Sequence, residues 1–121
     1  YWVPFGADDV DPDVRMSVIY DNRSRIATRI RQFRTGKRHS AAPPPRIRRI
    51  LSNVELLGED GGDLLVGANF AVYESREEGI RVWAGRSEYR LRPTAGGLRM
   101  AGKKVLLVDN DRPLGTLAFL I

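Results

Sequence analysis

At 121 residues, with 42% apolar and 29% charged side chains, the chain can build one domain around one core; it is too short for two ordinary domains and too apolar for wholesale disorder. With no cysteine and a single histidine, His39, disulfides, thiolate nucleophiles, cysteine-held clusters, and zinc or iron sites needing two or three histidines are excluded within one chain. The net charge of +5 is unevenly placed: Asn22–Val54 holds ten Lys/Arg and no acid, while the other 88 residues hold ten basic and fifteen acidic side chains.

In chain order, Tyr1–Gly6 reads as the end of a strand, closed by Pro4 and Gly6. There is no initiator Met and no signal-like segment, and a start inside an aromatic strand implies an upstream segment. Residues 7–13 form an acidic loop and Val14–Tyr20 a short apolar strand. Asp21 stands where an N-cap is needed, its carboxylate able to accept from an N–H two or three residues on. Ile26, Ile30 and Phe33 fall at i, i+4 and i+7, one stripe of a helix over Asn22–Thr35, and Gly36 is a natural stop. Residues 37–46 are a loop stiffened by Pro43-Pro44-Pro45.

From Ile47 the period becomes two. Ile50, Ser52, Val54 and Leu56 share one side, and Arg49, Leu51, Asn53 and Glu55 the other. A Gly/Asp-rich turn at 58–63 leads to a strand over Leu64–Arg76. Glu77-Glu78-Gly79 turns into Ile80–Arg92, with Trp83, Gly85, Ser87, Tyr89 and Leu91 on one face. Pro93–Gly97 turns into Leu98–Val108. A loop at 109–115 precedes an apolar tail, Thr116–Ile121. Long strands joined by short turns after one helix give an antiparallel meander in an α+β domain. A 14-residue helix is a thin cover for such a sheet.

Chemical motifs are sparse. No Walker or dinucleotide fingerprint and no G-x-S-x-G are present. His39 lies in a loop. The carboxylate pairs Asp8/Asp9, Glu77/Glu78 and Asp109/Asp111 lie in turns, and the last lacks the closing Glu of a calcium loop. Nine of the ten cations in the basic block are Arg, which favours bidentate protein contacts. Only Phe33 interleaves with them, so nucleic acid is not the expected partner. No apolar run approaches the roughly 20 residues of a membrane span. Tyr73, Trp83 and Tyr89 either line a pocket or fill a core; for aromatics at period two the core is the usual outcome.

The strings SVIYDNRSRIATRIRQFRTGK, RIRRILSNVEL, FAVYESR, VWAGRSEYRLR and KVLLVDND…LGTLAFLI, in this order, resemble the β (small) subunit of aromatic-ring-hydroxylating dioxygenases across nearly all 121 residues. Tyr20-Asp21-x-Arg23, Arg48-Arg49-x-x-Ser52-Asn53-Val54 and Gly85-Arg86 with Leu91-Arg92 carry it best. Departures include Asn22, Leu98, Gly102 and Gly115.

The resemblance implies a single domain over 1–121 with a cystatin-like, nuclear transport factor 2-like cone: a strongly curved antiparallel sheet with a helix packed on its concave face, N-terminal helices being absent from this stretch. It implies a non-catalytic assembly subunit, with no cofactor of its own. The Rieske 2Fe–2S cluster and mononuclear iron belong to a partner α subunit, with three α to three β, β–β contacts, and a cytoplasmic, oligomeric oxidoreductase as the whole. The expected subunit-contact residues are Asp21, Arg23, Arg46, Arg48, Arg49, Arg86, Leu117, Phe119 and Leu120. The rival reading is a freestanding cone-fold isomerase or dehydratase, which needs an Asp or His at an inward strand position; only Glu74 and Glu88 lie near the sheet, and Glu88 falls on the face opposite Trp83 and Tyr89.

Overall fold

The computed structural model describes residues 1–6, 11–36 and 44–121; the readings of His39, Asp8/Asp9 and Pro43 lie outside them. Strands β1 (Trp2–Pro4) and β2 (Ser17–Tyr20) come first, then helix α1 (Arg23–Arg34). Four long strands follow: β3 (Arg46–Asp60), β4 (Asp63–Arg76), β5 (Gly79–Thr94) and β6 (Gly97–Leu107). They form one sheet in the order β2-β1-β6-β5-β4-β3. The meander β3–β6 is antiparallel throughout. β1 joins β6 in parallel through Trp2 opposite Lys104, so the sheet is mixed at that one junction.

The sheet's concave face holds the core. Phe70 and Val72 of β4, Trp83 of β5, and Val105 and Leu107 of β6 are buried there, with Val3, Ile19, Phe119 and Ile121. The tail after Gly115 adds no strand. It lays Ala118, Phe119 and Ile121 into this core, a good outcome for side chains each worth about 1.5–3 kcal/mol when buried.

Helix α1 begins one residue later than its capping reading implies. Asn22, not Asp21, is the N-cap, and its Oδ1 accepts the Arg25 N–H at 3.0 Å. Asp21 is buried instead and takes the Arg29 guanidinium at 2.8 Å. Gly36 ends the helix with φ of 65°, a left-handed stop. No helix residue is fully buried, Ile30 remains 37% exposed, and no side chain of the helix belongs to the core cluster. No helix among the described residues is long and apolar enough to cross a membrane.

The strict alternation expected for β3 fails at Asn53. Ser52 pairs with Asn69 and Glu55 with Gly67, so Asn53 and Val54 together oppose Ala68. Asn53 takes φ of 50°, a left-handed conformation that costs most residues about 1–2 kcal/mol and that Asn tolerates. The bulge changes the phase: Ile47, Arg49 and Leu51 face the concave side before it, and Leu56 after it. A second register shift lies between Leu56 and Gly58. Both bend the edge strand of the sheet.

Gly85 is required by closeness rather than by φ. A Cβ there would sit inside the carbonyl oxygen of Leu106 and close to Leu107 Cα. Both are backbone atoms of the paired strand, which cannot swing away as a side chain can. Gly85→Ala should therefore destabilise by about 1–3 kcal/mol, read as a lowered urea midpoint. An unchanged midpoint would mean that β5 and β6 are not held this closely.

At the far end of the β3–β4 hairpin, Asp63 is buried and takes both Arg92 and Arg90, at 2.8 and 2.7 Å, while Arg90 also holds Asp60 at 2.7 Å. The bonds from Arg92 and then Arg90 hold the Asp63 carboxyl down at about 2, against an ordinary 3.8. A group depressed in the folded state stabilises above its unfolded pKa, and that contribution is lost as pH falls from about 4 through about 2. Asp63→Asn should therefore melt earlier than wild type at neutral pH, with the gap closing as pH approaches 2. A gap that persists unchanged at pH 2 would sink this account.

Candidate subunit-contact surfaces

Around Trp83 the concave face is packed and, among the described residues, its buried carboxylate is engaged, whereas toward the far tips Leu51 and Leu56 of β3 and Met100 of β6 stay more than half exposed on that side. Glu74 is wholly inaccessible; it accepts Trp83 Nε1 at 2.8 Å and Arg76 Nε at 2.6 Å. Trp83 packs edge-on against Phe119, with ring centroids 6.2 Å apart. Glu88 lies on the convex side, as its phase implies, and Tyr73 joins it there, opposite Val82, so Tyr73 does not share a pocket with Trp83 and Tyr89. A carboxylate tied to an indole and a guanidinium is a packing element. An acid–base enzyme would need one open to substrate.

The tail is tied down by cations donating to backbone oxygens. Arg49 Nη2 donates to the Leu120 carbonyl at 2.7 Å and its guanidinium lies 5.6 Å from the Phe119 ring centroid. Lys103 Nζ donates to the Ile121 carbonyl at 2.6 Å, between the Tyr1 and Tyr89 rings. Burial, and then the nearby Arg49 charge, push the Lys103 ammonium down to about 8. Burial raises the Tyr1 phenol to about 12.

The expected contact residues are thus divided between the interior and the surface. Phe119 is core, Asp21 is buried against Arg29, and Leu117 and Leu120 are half-buried. The partner of Asp21 is Arg29, a residue the sequence reading did not single out. Arg23 is exposed on the helix. Arg46 and Arg48 are exposed on β3, where Arg48 Nη1 donates to its neighbour's Ile47 carbonyl. Arg86 lies across Gly67 on the convex face, bonded to Glu55 and Asn69. The sequence reading missed the exposed apolar side chains beside these arginines: Ile50, Tyr73, Ile80 and Val82 are 41–71% exposed. The alternation along β3, β4 and β5 could have shown them, since all fall in the phase opposite the core. Among the described residues, no group of three or more His, Asp or Glu side chains could hold a metal ion.

A sheet whose buried inner carboxylate is spent on packing, with basic and apolar side chains on its outer face, describes a subunit more than an acid–base pocket. The model of the family of ring hydroxylating beta subunits matches residues 1–112. The chain belongs to that family. It is similar to the anthranilate 1,2-dioxygenase small subunit of Acinetobacter baylyi, 31% identical over 115 residues, covering 91% of this chain and 71% of that one. It is also similar to the small oxygenase component of the p-cumate 2,3-dioxygenase system of Pseudomonas putida, at 26% identity over 90% of this chain and 61% of that one. In structure, this β-subunit chain superposes on the β subunit of benzoate 1,2-dioxygenase from Burkholderia mallei with a TM-score of 0.69 at 24% identity, covering 88% of this chain and 68% of the other. That likeness establishes the curled α+β sheet as the family's cone.

Proposed function

We propose that residues 1–121 form a single β-subunit domain whose task is assembly: holding a catalytic α subunit in a ring-hydroxylating dioxygenase, three α with three β. The family match over residues 1–112 carries this reading. It is supported by Glu74, the buried carboxylate of the inner face, which is bonded to Trp83 and Arg76 and not open to a substrate. The 2Fe–2S cluster and the mononuclear iron belong, in this reading, to the α subunit, and the whole works in the cytoplasm. The relatives above are named for anthranilate, p-cumate and benzoate, so aromatic carboxylic acids are the substrate class we infer for the complex. Arg23, Arg46, Arg48 and Arg86 are the surface cations proposed for subunit contacts, while buried Asp21 and Phe119 and half-buried Leu117 and Leu120 support those surfaces from within, and the exposed Arg49 pins the tail.

The test is co-expression with the Rieske large subunit encoded nearest its gene. The expected result is one complex carrying the visible absorbance of the cluster, with oxygenation of an aromatic acid that falls when this chain is left out. A large subunit that assembles and turns over equally well without it would overturn the assembly role.

A further inference from the structure

We infer that the groove between the end of helix α1, the start of β3 and the tail is a binding site for a small aromatic carboxylic acid. The groove measures about 490 Å³, inside the range of about 300–1,000 Å³ usual for small-molecule sites. Phe33 of the helix, Ile47 of β3, and Phe119 and Leu120 of the tail supply its apolar walls. Arg34 and Arg49 supply its only charges among the described residues. Both walls come from stretches without acids: Asn22–Val54 holds no Asp or Glu, and Thr116–Ile121 holds no charged side chain. Other grooves of the molecule differ in just this respect. Asp109 lines one, Glu88 another, and Glu77 with Glu78 a third. A fourth, beside Arg46 and Arg48, has no buried side chain in its wall, whereas here Ala118 and Phe119 are buried.

The two guanidiniums are poised differently. Arg49 spends Nη2 on the Leu120 carbonyl at 2.7 Å and lies 5.6 Å from the Phe119 ring centroid. It is thereby held in place with its other N–H groups uncommitted. Arg34, in the last turn of α1, has no hydrogen-bond acceptor among the described residues. A guanidinium meets a carboxylate in planar, bidentate geometry, and one already fixed loses little freedom in doing so. The end of α1 brings about half a negative charge to the groove, against two full positive ones. Phe33 and Phe119 favour a flat ring as the apolar part of the ligand. The ligand class follows from this groove alone and does not depend on the assembly role.

The test is a titration of the purified, isotope-labelled chain with benzoate, followed by its amide resonances. Saturable shifts confined to the surroundings of Phe33, Ile47 and Leu120 are expected. Benzamide keeps the ring and loses the charge; hexanoate keeps the charge and loses the ring. Each should bind about tenfold more weakly than benzoate. Arg34→Gln removes one charge-assisted bond and should also weaken benzoate about tenfold; the exposed Arg34 makes no bond that folding needs. Arg99→Gln, the same charge change on an exposed residue at the far tip of the sheet, should bind as wild type does. Benzamide or hexanoate binding as tightly as benzoate would overturn the ligand class. Arg34→Gln binding unchanged, or shifts that never saturate and spread along all the arginines, would overturn the site. The rival occupant is a side chain of the large subunit. In the assembled complex, Arg34 should still react with an arginine-specific dicarbonyl reagent and be protected by benzoate. Arg34 shielded by assembly alone would overturn the ligand site and make the groove a subunit contact.

Discussion

Glu74→Ala should destabilise the chain by about 3 kcal/mol, the lower end of the range for removing one partner of a buried ion pair. The lower end applies because the Arg76 side chain is 27% exposed and recovers some water, while the carboxylate itself is fully enclosed. Two groups lose their acceptor at once: the Trp83 indole N–H, which is buried, and the Arg76 guanidinium. With total stabilities of small domains at about 5–15 kcal/mol, a loss of this size is plain in a urea titration. Glu74→Gln keeps one oxygen, enough for Trp83 or for Arg76 but not for both, and turns its NH2 toward the other donor, so it should recover only part of the loss. If Glu74→Ala unfolds at the wild-type urea concentration, the carboxylate is not a structural tie, and an open acid in the cone returns as a live reading.

Much of this architecture is legible in the residues because the signals are redundant. The helix shows its stripe at Ile26, Ile30 and Phe33 and its stop at Gly36, and the hairpins carry Gly at each tip. The phase of β4 and β5 is read from Phe70, Val72 and Trp83, and the structure keeps it. The same phase places Glu74 on the core side, an acid in a hydrophobic register, which is itself a sign of a buried tie. What is not legible depends on backbone geometry or on competition. Asp21 and Asn22 are both good caps, and only the nearness of Arg29 decides that Asp21 turns inward. The bulge at Asn53 displaces every later side chain of β3, and its one sequence signal is an Asn that tolerates a left-handed φ. The arginine block is contiguous in sequence but not in space: Arg49 points to the tail inside, and its neighbour Arg48 to the outer face, as alternation along a strand demands.

Phe119→Ala should be the most damaging change in the tail. Phe119 is 8% exposed, meets Trp83 edge to face, and lies beneath Arg49. Truncating a buried Phe costs about 3–5 kcal/mol through lost transfer energy and the cavity left behind, and the aromatic pair adds about 0.5–1.5 kcal/mol that Leu cannot replace. Phe119→Leu should therefore be milder, recovering most of the volume but not the ring contact. The tail is held at its end by Arg49 on the Leu120 carbonyl and by Lys103 and Tyr1 on the Ile121 carbonyl. These ties persist only while the ring keeps the segment in the cone. Loss of Phe119 should then free the tail as well, giving a chain that binds a hydrophobic dye and is cut by protease between Gly115 and Ile121 before it unfolds globally. A Phe119→Ala protein with wild-type melting and an intact, protected tail would show that the tail is held by its polar ties alone.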